Sequence, residues 1–142
     1  MAIYSIANRT SNVTIAAANT ELRTAATGRG AVMELGVFMA AATASVVGFG
    51  RPQAIGVTPT SPITVLAEDP GDLAGTLQTA LAWGTGPTVP VQFFRRLNLP
   101  ATIGAGIILT FPRGLIIAGS SSVVLWNITA TGVMDNYFVV DE

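Results

Sequence analysis

The sequence predicts an all-β, single-domain protein, a sandwich or barrel of about eight to ten short strands. Three observations carry this. Apolar residues alternate with a period of two in several segments, the pattern of strands and not of helices. Fifteen glycines and eight prolines cluster between those segments as turn punctuation. The 142 residues fall within the roughly 100–200 of one ordinary domain, and neither a repeat nor a linker divides residues 1–142.

Taken in order, the first expected strands are Ile3–Ala7 and Val13–Ala17. They belong to a stretch, Met1 to Thr20, set off from the main run of strands by the Thr- and Ala-rich segment Asn19–Ala31. Residues 1–20 have two readings: an arm that adds a strand to a neighbour's sheet edge, or the first strands of the chain's own sandwich. In Val32–Met39, Met33, Leu35, Val37 and Met39 share one face, opposite Val32, Glu34, Gly36 and Phe38. Ser45–Phe49 is a shorter strand, and Pro52–Pro62 is too proline-rich for a central one. Asp72–Ala82 has a capping Asp and a leucine stripe, but Gly75 and its threonines weaken a helix. A turn and then a strand over Leu77–Trp83 are expected there.

From Val91 to Leu99, Val91, Phe93, Arg95, Leu97 and Leu99 oppose Gln92, Phe94, Arg96 and Asn98. Ile107–Phe111, Leu115–Ile117, Val123–Thr129 and Met134–Asp141 complete the set. Several of these strands are apolar on both faces, as in sheets covered on both sides. One side is the core. A second protein layer is the simplest cover for the other, which predicts an oligomer with Phe94, Trp126 and Tyr137 as interface anchors.

Composition narrows the function. Only 11% of residues are charged, against about 25% in soluble domains, which again suits a surface covered by protein. The chain has seven arginines and eight carboxylates, no lysine, no histidine and no cysteine. That removes the thiolate nucleophile, the usual neutral-pH base, the Schiff-base lysine and the common ligands of transition metals. The expectation is no enzyme, no cofactor and no metal. A net charge of −1 with only Arg95-Arg96 as a basic pair speaks against nucleic acid. Mean hydropathy is +0.57, yet the longest apolar stretch, Ala31–Phe49, is broken by Glu34, so no membrane span is expected. The start, MAIYSIANRT, has no secretory-signal pattern.

The remaining motifs read as structure. Gly28/Gly30, Gly48/Gly50, Gly84/Gly86 and Gly104/Gly106 all lack the third glycine of a nucleotide loop and are expected at turns or bulges. Glu68, Asp69 and Asp72 lack the offsets of a calcium loop and fit a turn with Asx-type bonds. Ser120-Ser121-Ser122 has no base to activate it. Glu34 stands in an apolar strand, where a charge needs a partner; Arg95 or Arg96 is the expected one, in a structural ion pair. Exposed aromatics leave a glycan-stacking surface as an alternative role.

The runs ELGVFMAAATASVVGFGRP (Glu34–Pro52), FFRRLNLPATIGAGIILTFPRGL (Phe93–Leu115) and SSSVVLWNITATGVMDNYFVVDE (Ser120–Glu142) resemble a group of small tailed-phage and prophage structural proteins. The carrying features are the Glu-x-Gly-Val strand, the RR-x-x-LPA-x-IG-x-G segment, the LWN strand and the acidic end. The resemblance implies a β-sandwich of jelly-roll type that trimerises like tumour-necrosis-factor-like domains. It further implies a capsid cement or decoration protein, made in the host cytoplasm and located on the virion surface. Its partners would be itself and the major capsid protein; the alternative is a glycan- or receptor-binding head or tail module.

Overall fold

A computed structural model describes residues 2–142, and every regular element among them is a strand. In chain order these are β1 (Ile3–Arg9), β2 (Ala17–Arg23), β3 (Gly30–Met39), β4 (Ser45–Pro52), β5 (Val57–Pro59), β6 (Ile63–Thr64), β7 (Leu66–Ala67), β8 (Gln78–Ala80), β9 (Trp83–Thr85), β10 (Pro90–Leu99), β11 (Gly106–Ile117), β12 (Ser122–Asn127) and β13 (Met134–Asp141). One sheet has the order β11-β3-β13-β1-β7, the other β10-β4-β12-β2-β8-β6, and β5-β9 form a separate ribbon. The pairings are antiparallel. The molecule is therefore the β-sandwich that the period-two alternation predicts.

Alternation decides which residues enter the core. Leu35, Val37, Phe138 and Val140 come inward from the five-stranded sheet, and Leu22, Val47, Phe49, Val123 and Leu125 from the six-stranded one; all are fully buried. Phe49 is the hub, with ring centroids of Phe94, Phe111 and Phe138 at 6.1, 5.8 and 6.5 Å. One end of the core is polar. Asn136 Nδ2 donates to Thr20 Oγ1 at 3.0 Å and Asn19 Nδ2 to Asn127 Oδ1 at 3.1 Å, which gives these buried amide donors partners, while Asn136 Oδ1 has none among the described residues.

The N-terminal stretch resolves in favour of the chain's own sandwich. β1 lies inside the five-stranded sheet, paired with β13 from Ile3↔Asp141 to Arg9↔Asp135 and with β7 on its other side. β2 starts at Ala17, so the strand expected over Val13–Ala17 is instead the connection into it. The accessible surface of 6917 Å² matches the about 6,900 Å² of a compact chain of this mass. An extended arm would raise it.

Other elements shift in instructive ways. Ile107–Phe111 and Leu115–Ile117 are one strand, β11, whose pairing with β3 slips between Thr110 and Leu115. Gly114 sits in that bulge at φ +67°, a conformation open to glycine. Leu77–Trp83 divides into β8 and β9, and Asp72–Ala82 contains no helix. Gly48 and Gly50 lie within β4 and not at a turn; the irregular pairing expected of them falls on the facing strand, β10, between Pro90 and Arg95.

Candidate interaction face

The two outer faces of the sandwich differ. On the six-stranded sheet, Ala18, Val124 and Trp126 point away from the core, yet all are buried. The β5-β9 ribbon and the segment leading to it roof them. Trp83 and Phe93 pack on this cluster. Beneath the roof is Glu21, fully buried on β2. Its carboxylate accepts from the backbone N–H of Gly56 (3.0 Å), Trp83 Nε1 (2.8 Å) and Ser122 Oγ (2.7 Å). Arg23 Nη1 stands 3.6 Å from Glu21 Oε2 and donates to the Gly56 carbonyl at 2.8 Å. A buried carboxylate with this many donors is satisfied and structural.

The outer face of the five-stranded sheet has no such roof. Its centre is Tyr137 on β13. The ring lies flat across Gly36 of β3, where a Cβ would stand 2.0 Å from Tyr137 Cε1, so only glycine admits the contact. Phe38 stacks beside it at 6.3 Å and 16°. Val139, Ile3 and Ala7 extend the apolar surface, and Leu66 and Ile108 at its margins are 74% and 54% exposed. Two shallow grooves run here, and the residues lining them belong to the sheet itself and to Glu68 just beyond β7. The face is apolar, half-buried and uncovered by the rest of the described chain.

Three polar pairs interrupt it, one of them at the β7 margin, where Ser5 Oγ donates to Glu68 Oε1. Tyr137 Oη donates to Glu34 Oε1 at 2.6 Å. That hydrogen bond, with desolvation and the carboxylate's charge, raises the Tyr137 pKa above its usual value of 10.0. Arg9 grips Asp135 with two bonds of 2.7 Å. The Arg9 hydrogen bond outweighs desolvation and lowers the Asp135 pKa. Both side chains are largely exposed, at 68% and 47%, so the pair adds little stability.

The expected Glu34 ion pair is not formed within the chain. Glu34 is on the outer face of the five-stranded sheet, whereas Arg95 and Arg96 are exposed on β10, the edge of the opposite sheet. A phenol satisfies Glu34 in place of a guanidinium, and Arg95 Nη1 donates to the Phe94 carbonyl at 2.8 Å. Two expected anchors are corrected as well. Trp126, 8% exposed, lies under the chain's own roof, and Phe94 packs on Phe49 with the Arg51 guanidinium 5.1 Å over its ring. The β10 bulge turns Phe94 inward and leaves Phe93 to the outer face. Only Tyr137 of the three lies on the open face. The sequence reading missed Glu21, whose strand AANTELR alternates weakly; its place beside Arg23 in an otherwise uncharged stretch was the available signal.

The other motifs fall in local structure. Asp69 Oδ1 accepts from the Gly71 N–H at 2.8 Å, the expected Asx turn. Ser120 occupies a tight turn at φ +54° before β12. Comparison with protein-family models, with curated proteins and with solved structures finds no match for the chain.

Proposed function

We propose that the chain is a structural protein of a phage virion, a homotrimeric capsid cement or decoration protein that bridges major capsid subunits. The observation that carries the proposal is the open apolar face of the five-stranded sheet, because the other outer face is closed by the chain itself. Soluble proteins rarely leave such a face uncovered, and a second copy is the cover that symmetry supplies most readily. The strand path supports the same reading. Among the eight long strands, the two sheets run first-eighth-third-sixth and second-seventh-fourth-fifth, an order that agrees with a jelly roll. The sequence resemblance and the scarcity of charge agree with it, as does a chain without histidine, lysine or cysteine, which is poorly equipped for catalysis.

The mechanism is linkage. A subunit that binds the assembled shell and not its separated components stabilises the shell, by about 2.7 kcal/mol per site at a free concentration 100 times the Kd. Quantitative mass spectrometry of purified particles tests this. A cement protein occurs in a fixed ratio near that of the major capsid protein, whereas a few copies per particle contradict the proposal. One observation favours a second reading: the stacked Phe38–Tyr137 pair beside Arg9 and Asp135 resembles a small glycan platform. Loss of glycan-array binding in Phe38→Ala identifies that role, and no binding by the wild type removes it.

A further inference from the structure

The exposed charges are sorted by edge. β10 and β11 are the outermost strands of their sheets, and they lie on the same side of the sandwich: Phe94 on β10 and Phe111 on β11 both pack on Phe49, and Arg51 Nη2 donates to the Ile116 carbonyl. Four of the seven arginines, Arg51, Arg95, Arg96 and Arg113, stand on this side. None has a carboxylate within salt-bridge range among the described residues, where the ion pairs are Arg9–Asp135 and Arg23–Glu21. The carboxylate nearest in register, Glu34 opposite Thr110, is held by Tyr137.

The other side is closed by the step from β6 to β7, which carries the chain from one sheet to the other. Glu68, Asp69 and Asp72 lie just past β7 in an exposed turn, and Glu142 lies nearby, bonded to the Thr76 and Leu77 backbone. Arg29 is the one cation close to Glu142, and it pairs with none of these acids within salt-bridge range. Exposed aliphatics accompany both sets of charges: Val91 (74%) and Ile108 (54%) stand with the arginines, and Leu66 (74%) and Leu73 (85%) with the acids.

β10 and β11 do not invite strand pairing. Pro90, Pro112, their bulges and the arginines blunt them, as natural edges are blunted against aggregation. They remain fit for side-chain contact. A two-fold dimer through either side would set like charges against each other, which disfavours it. A head-to-tail contact sets opposite charges together, and such a contact forms a ring when its rotation closes.

We propose that the occupant of the open face is a second copy of this chain docked head to tail. The Arg95, Arg96 and Arg113 side of one copy seats against the Glu68, Asp69 and Asp72 side, with the adjoining outer face, of the next. The proposal rests on the oligomer reading above and adds which surfaces meet and in what polarity. Because basic and acidic sides oppose each other across one chain, each copy offers both halves of the contact. Three copies give three equal contacts with no edge left over.

A charge-swap series on the full chain tests it, read by sedimentation at micromolar concentration. One variant carries Arg96→Glu with Arg113→Glu, another Glu68→Arg with Asp72→Arg, and a third carries all four changes. The sites are exposed, so unaltered near-ultraviolet circular dichroism confirms the fold of each. Each two-site variant is expected to weaken association by about 100-fold or more, and the four-site variant to restore it. Wild-type association is expected to weaken as salt rises from about 0.05 to about 0.5 M. If wild type associates but all three variants and the salt series match it, the assignment of the contact to the basic and acidic sides is overturned and the oligomer reading stands. If wild type is monomeric, both fall.

Discussion

At the scale of single residues, Tyr137 and Glu34 explain how an apolar face tolerates a charge. Gly36 lets the phenol lie flat on the sheet, and the hydroxyl then reaches the carboxylate at 2.6 Å. The raised Tyr137 pKa has a defined consequence for stability. The contact contributes fully below about pH 10, the ordinary phenol value, and its contribution is lost as pH rises through the raised folded value. Glu34→Gln removes the charge, so Tyr137 is expected to titrate nearer the ordinary value. Phenolate absorbance in a Tyr4→Phe background isolates the group, and an unchanged titration contradicts the assignment. The Glu34 outcome also shows where sequence reasoning stops. Alternation identified a charge that needed a partner, and it offered the arginines because they occupied equally apolar strands. Strand order separates them onto opposite sheets, and a two-residue pattern contains no information about strand order.

At the scale of elements, long strands were legible because each has one face in the core. Met134–Asp141 shows the alternation fully, with Met134, Asn136, Phe138 and Val140 buried and the intervening residues half-exposed. The roof was not legible. β5 and β9 have three residues each, too few to display a period, and what fixes them is a buried carboxylate on a distant strand. Glu21→Leu would leave Trp83 Nε1, the Gly56 N–H and the Ser122 hydroxyl without their acceptor and the Arg23 cation without its counter-charge. A loss of about 3–5 kcal/mol is expected, as for a broken buried pair. Both tryptophans, Trp83 and Trp126, lie at this roof, so acrylamide quenching of their fluorescence is expected to rise. A loss under about 0.5 kcal/mol with unchanged quenching, as at an exposed site, contradicts the role given to Glu21. β1 makes an equally direct case. Seven register pairs tie it to β13, so a chain shortened to begin at Thr10 is expected to unfold, measured by the loss of cooperative thermal denaturation. A stable, cooperative fold in that variant would return residues 1–20 to the status of an arm.

At the scale of the whole molecule, the proposed assembly rests on the asymmetry between the two outer faces. One sheet is sealed by the chain's own ribbon over Val124 and Trp126, and the other presents Tyr137, Phe38 and Val139 with none of the other described residues above them. The double apolarity of the strands predicted cover on both sides of the sandwich. It could not say which cover was internal, because Trp126 and Tyr137 sit in equally apolar strands and differ only in what the ribbon reaches. The central claim is that the open face is covered by further copies. Sedimentation equilibrium of the wild-type chain at micromolar concentration, beside Tyr137→Arg, tests it most directly. The expected result is three times the 14.6 kDa chain mass for wild type and the single-chain mass for the folded variant; a wild type that sediments as 14.6 kDa would contradict it.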